Sequence, residues 1–98
     1  MRKNTLEVFG AWMQGRERKR GRMSIWTDGE TVYSYGTALL TRTEDGELIF
    51  NATKYSVTTS CQQNNLRELM EENYLHPVVI ENVAMWQGDL TRFVSVEV

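Results

Sequence analysis

The run YSYGTALLTRTEDGELIFNATKYSVTTSCQQNNLR, residues 33–67, decides the fold class. Two strand-like segments meet at a glycine turn, and a hydroxyl-rich stretch then leads into a helix. The turn is Glu44-Asp45-Gly46, because Asp-Gly between apolar-rich runs suits the left-handed backbone of a tight hairpin. Extended backwards, the first segment reads as one long strand from Thr31 to Thr43, and Glu47 to Tyr55 returns beside it. Alternation puts Tyr33, Tyr35, Thr37, Leu39 and Thr41 on one face and Val32, Ser34, Gly36, Ala38 and Leu40 on the other. The small residues of the second set would let a helix approach closely, and Gly36 marks a bulge or bend.

Downstream, Ser60 and Gln63 match a capping pattern in which the hydroxyl and the glutamine amide satisfy backbone groups reciprocally, which predicts a helix from about Cys61 to Asn73. Leu66, Leu69, Met70 and Tyr74 form its buried stripe. Gln62, Gln63, Asn64, Arg67, Glu68, Glu71 and Glu72 form its outer surface. Pro77 disfavours helical backbone at His76, and Val78-Val79-Ile80 resumes an extended run. Upstream, Met23 to Trp26 reads as a strand and Thr27-Asp28-Gly29-Glu30 as a second tight turn. Asn4 or Thr5 caps a short N-terminal helix with Leu6, Phe9 and Met13 along one face and Val8 and Trp12 beside it. Gln87-Gly88-Asp89 turns the chain into a final strand over 94–98. The fold class is α+β: an antiparallel β-meander of about five strands with one central α-helix packed on it and a short N-terminal helix.

At 98 residues the chain fits a single domain, 1–98. With 41% hydrophobic and 24% charged residues, it has the composition of a globular protein with a core. No apolar run approaches the roughly 18 to 20 residues of a membrane span, and the N-terminus opens without a signal-like apolar stretch, so a soluble, intracellular protein is expected. The single cysteine, Cys61, excludes an internal disulfide framework. Asn51-Ala52-Thr53 matches a glycosylation acceptor, an accidental match in a chain that is not secreted.

The net charge of −2 hides a polarised chain. Residues 1–22 carry seven Lys or Arg against two Glu, and residues 23–98 carry four against eleven acids. The basic excess peaks in a glycine-flanked loop, 15–22, containing Arg16, Arg18, Lys19, Arg20 and Arg22. Such a loop can contact phosphates or serve as a solvated connection. Tyr33 and Tyr35 have the same ambiguity: tyrosines stacked along a strand resemble a single-stranded nucleic-acid platform, and ordinary packing also places tyrosines on strands.

Ser24-Ile25-Trp26-Thr27-Asp28-Gly29, Tyr33-Ser34-Tyr35-Gly36-Thr37, Asn51-Ala52-Thr53-Lys54-Tyr55-Ser56 and Thr58-Thr59-Ser60, followed by Gln63 and Leu66-Arg67, together resemble a small domain of unknown function found in phage and mobile-element proteins. The resemblance covers roughly residues 12 to 70. Its members often place a basic residue and then histidine after the TTS serine, where this chain has Cys61-Gln62. The resemblance implies a phage or mobile-element origin, hence a place in the host cytoplasm, and no established activity.

Lys54, Thr58, Thr59 and Ser60 bring a cation and three hydroxyls towards a helix N-terminus, where free N–H groups favour an anion. The competing explanation is that Ser60 only caps the helix, and the segment lacks the glycines of a phosphate loop. Catalytic readings are poorer: Cys61 and His76 lie at opposite ends of the helix, one His and one Cys make no zinc site, and Glu44-Asp45 and Glu71-Glu72 read as solvated pairs. The expectation is no enzyme and no cofactor. The leading reading is a non-enzymatic accessory protein that binds a host or phage macromolecule, inhibiting a nucleic-acid-directed host defence complex as anti-CRISPR proteins do. Its contacts would be Glu68, Glu71, Glu72, Tyr33 and Tyr35, with the acidic body meeting a basic channel. The alternative is a nucleic-acid-binding accessory factor that uses the basic loop, Lys54 and the helix N-terminus near Ser60.

Overall fold

A computed structural model describes residues 2–19 and 24–82. In chain order these form α1 (Arg2–Met13), β1 (Ile25–Thr27), β2 (Thr31–Ser34), β3 (Thr37–Arg42), β4 (Leu48–Asn51), α2 (Val57–Glu72) and β5 (Val78–Ile80). The architecture is α+β, with a five-stranded sheet in the order β1-β2-β3-β4-β5. β1 to β4 are antiparallel neighbours, whereas β5 lies parallel to β4. The parallel pairing follows from the connection: α2 carries the chain back along the sheet before β5 begins, so β5 starts in the same direction as β4. The expected turn at 87–89 and strand over 94–98 lie outside the described residues.

The long strand expected over Thr31–Thr43 is two strands. Tyr35 and Gly36 form a turn between β2 and β3, and the β2–β3 register shifts between Val32 and Tyr33, so Val32 pairs with Leu40 and Tyr33 with Ala38. Simple alternation therefore fails: Leu39 and Leu40 both join the main core, and Tyr33 shares the opposite face with Ala38. A hairpin was legible at Glu44-Asp45-Gly46, where Gly46 has φ +82°. At the β2–β3 turn the sequence offered only a bulge or bend at Gly36; the chain turns there fully, with Tyr35 at φ +54° although tyrosine disfavours that region.

The main core is one cluster to which Val8, Phe9 and Trp12 of α1, Ile25, Val32, Leu39, Leu40 and Phe50 of the sheet, and Leu66, Leu69 and Met70 of α2 contribute. Two helices thus pack on one face of the sheet. α1 buries Thr5, Val8, Phe9 and Trp12, spaced i, i+3, i+4, i+7, while Leu6 and Met13 are about half exposed, at 49% and 44%. This corrects the expected Leu6–Phe9–Met13 face; the stripe is rotated because Trp12, the largest fully buried side chain, anchors the helix. Its indole Nε1 donates to Glu30 O (2.7 Å), and the Arg42 guanidinium lies 4.6 Å from the Trp12 ring while donating to the carbonyls of Trp12 and Gly29.

α2 begins one turn earlier than expected. Its N-cap is Ser56, whose extended backbone lets the side chain accept from Thr59 N–H, while Ser60 lies inside the helix with its own N–H on Ser56 O (2.9 Å). Both serines suit the role by residue type; Ser56 wins because Thr59 faces the sheet, where Ser34 Oγ lies 3.0 Å from its hydroxyl. The buried stripe holds Leu66, Leu69 and Met70 as expected, but also Thr59, Gln62 and Gln63. Gln62 and Gln63, expected outside, are buried because each finds partners in the sheet. Gln62 accepts from Ser34 Oγ (2.5 Å) and donates to Ser24 Oγ (2.9 Å), and Gln63 Nε2 donates to the carbonyls of Asn51 and Thr53. Tyr74, expected in the stripe, sits past the C-cap at φ +57° and is 84% exposed.

Candidate functional site

Two surfaces emerge, at opposite edges of the sheet. The first lies beside the C-terminal half of α2. Glu68, Glu71 and Glu72 fall at i, i+3 and i+4 and are all exposed, so the three carboxylates share one side of the helix. Below Glu71 opens a groove of about 300 Å³ lined by Phe50, Arg67, Met70, Glu71, Leu75, His76, Pro77 and Val79. Phe50 and Val79 are paired neighbours on β4 and β5 and so project to the same face. Phe50 is covered, with the Arg67 guanidinium 5.4 Å from its ring, whereas Val79 is 45% exposed. Apolar side chains lining the groove together with Arg67, Glu71 and His76 match the anatomy of a protein-binding surface, in which an apolar centre is accompanied by charge.

The second surface lies at the β1 edge. The basic loop is held there by backbone pairing: Arg18 and Thr27 exchange both N–H···O bonds, at 2.9 and 3.1 Å. This anchors the near half of the glycine-flanked segment. Its cations have separate neighbours. Arg16 Nε donates to Gln14 Oε1 (2.6 Å), Arg18 forms an ion pair with Glu7, and Lys19 Nζ lies 4.5 Å from the centroid of the Trp26 ring. Arg20 and Arg22 lie outside the described residues. Trp26 stacks on Tyr33 with centroids 4.1 Å apart, and its Nε1 donates to Tyr35 O (2.6 Å). Tyr33 is a packing residue, 7% exposed with its hydroxyl donating to Asp28 Oδ2 (3.0 Å), so its ring offers no face to a partner. Tyr35 is 60% exposed.

The Lys54 and TTS residues differ in exposure. Thr59 is buried and bonded to Ser34 and Ser56, Thr58 and Ser60 are half-buried in the first turns of α2, and Lys54 is exposed in the preceding segment. Of the hydroxyls that suggested an anion cradle, that of Thr59 serves the helix–sheet seam. Asn51 is fully buried, its Nδ2 donating to Ala38 O and Tyr55 Oη, so the glycosylation-like triplet is a structural corner. Cys61 and His76 are not brought together: Cys61 lies in the second turn of α2, about 16 Å along the axis from the end of the helix. Among the described residues, no three of His, Cys, Asp and Glu stand where they could hold a metal ion, and no helix is long and apolar enough to cross a membrane.

Trp26 was missed as a site residue because a tryptophan in a short strand reads as core. The groove was missed because its lining combines β4, α2 and β5, which no local pattern joins. No family model, curated protein or solved structure matches the chain, so these two surfaces carry the functional argument.

Proposed function

We propose that this is a non-enzymatic binding protein that occupies a basic, partly apolar surface of a host or phage macromolecule. The observation that carries the reading is the groove beside α2, with Val79, Met70, Glu71 and Arg67 in its lining and the exposed Glu68 and Glu72 on the same helix. A partner that inserts an apolar side chain there would present its flanking lysines or arginines to the carboxylates, giving affinity from the anchor and association rate from the charge. The resemblance of residues 12 to 70 to phage and mobile-element proteins supports such an origin. A nucleic-acid-directed defence complex supplies a target of the right charge, because its nucleic-acid channel is basic.

The test is a pull-down from nuclease-treated bacterial lysate with two baits, wild type and the triple variant Glu68→Lys, Glu71→Lys, Glu72→Lys. A protein captured by the first bait and lost from the second supports the proposal, with an association rate that falls most at low salt. Equal capture by both baits, or capture that disappears with nuclease, refutes it.

A further inference from the structure

We propose a second binding site, for single-stranded nucleic acid, built on Lys19, Trp26 and Tyr35 at the β1 edge. Tyr35 has an uncommon backbone. Its φ of +54° is a conformation that glycine, asparagine and aspartate adopt readily and a bulky aromatic residue adopts at a cost. The backbone is pinned from both sides, N–H to Ser24 O (2.7 Å) and C=O from Trp26 Nε1 (2.6 Å), so the side chain is presented from a rigid turn. Local stability does not account for a tyrosine there, and with 60% of its surface exposed, core packing does not either. Strain held at an exposed aromatic points to a contact residue.

The second observation is independent. The indole that holds the Tyr35 carbonyl also carries the Lys19 ammonium 4.5 Å from its ring centroid, and Lys19 is exposed. Backbone pairing of Arg18 with Thr27 sets that position. The exposed Tyr35 and the Lys19 ammonium are thus both tied to Trp26, one through its backbone carbonyl and the other over the indole ring, in a chain whose residues 1–22 hold seven basic residues against two acidic ones. Unpaired bases stack on aromatic faces whatever their identity, and phosphates follow the cations; a duplex offers no unstacked base to the ring. The ligand class is therefore an unpaired strand, DNA or RNA. The site is distinct from the groove beside α2 and does not depend on a partner binding there.

Fluorescence anisotropy of the full chain against labelled oligo(dT), oligo(U) and a blunt duplex, in low salt, tests the site. Wild type should bind one or both single strands more tightly than the duplex, and the two strands distinguish a DNA from an RNA ligand. Tyr35→Gly should weaken binding about five- to a hundredfold, the range for losing one stacked base, while its melting temperature stays level or rises because the strained residue is gone. Tyr35→Phe should bind like wild type. Lys19→Ala should weaken binding and flatten the salt dependence by about 0.7 in the log–log slope, one phosphate contact on a single strand. Wild-type binding to neither strand, tighter binding to the duplex, or unchanged binding by Tyr35→Gly overturns the proposal. A fall in the melting temperature of Tyr35→Gly with Tyr35→Phe also failing to bind would make Tyr35 a structural residue and overturn it equally.

Discussion

Gly29 needs both its missing side chain and its backbone freedom. It has φ +101°, and a Cβ built there would lie 2.7 Å from Gly15 O, so the β1–β2 turn passes directly against the end of α1. Gly46 has φ +82° with nothing within 4 Å of the same position. Gly46→Ala should cost about 1 to 3 kcal/mol, the conformational penalty alone, and Gly29→Ala should cost more by the clash with a backbone atom that cannot rotate away. Urea denaturation of the two variants checks this: equal losses would mean that the turn does not touch Gly15. Gly10 is the opposite case, a mid-helix glycine with nothing within 4 Å. Gly10→Ala should stabilise by about 0.5 to 1 kcal/mol through helix propensity, and a loss of stability would show that α1 packs more closely there.

At the scale of the element, α2 is a helix with two kinds of buried face. Leu66, Leu69 and Met70 bury hydrocarbon in its C-terminal half; Thr59, Gln62 and Gln63 bury hydrogen bonds in its N-terminal half. Leu69→Ala should destabilise by about 2 to 5 kcal/mol, the range for a buried leucine. Gln62→Leu should also destabilise, by about 1 to 3 kcal/mol, because Ser34 and Ser24 lose a partner that an apolar side chain cannot replace. A gain in stability would show that the network contributes less than its burial costs. For the cap, Ser56→Ala should cost about 1 kcal/mol and Ser60→Ala much less. The reverse order, measured by thermal or urea unfolding, would restore Ser60 as the start of the helix.

Across the whole molecule, α1, the sheet and α2 share a single core cluster to which α1 contributes Val8, Phe9 and Trp12. Arg42 reinforces the join by bonding both the Trp12 carbonyl at the end of α1 and the Gly29 carbonyl in the sheet turn. The described body should therefore unfold in one transition. Far-ultraviolet circular dichroism and tryptophan fluorescence should give coincident denaturation curves. Separate transitions would mean that α1 detaches as its own unit. Lys19 lies at the β1 edge, and Glu71 lines the groove beside β5 at the other.

The sequence alone determined the α+β class, the Glu44-Asp45-Gly46 turn, the central helix and its Leu66, Leu69 and Met70 stripe, because each is written in nearest neighbours or in one helical period. It also showed the exposed carboxylates Glu68, Glu71 and Glu72 and the basic loop, since charge is visible without coordinates. Only the tertiary structure decided that Gln62 and Gln63 face inward, because their burial depends on acceptors and donors supplied by Ser24, Ser34, Asn51 and Thr53, up to 38 residues away. The choice of Ser56 over Ser60 as cap had the same origin, in the meeting of Thr59 with Ser34. Gly36 signalled a bulge or bend, but that the strand ends there, at a tyrosine poorly suited to its backbone, was decided by the bonds to Ser24 and from Trp26, which exist only once β1 lies beside β2.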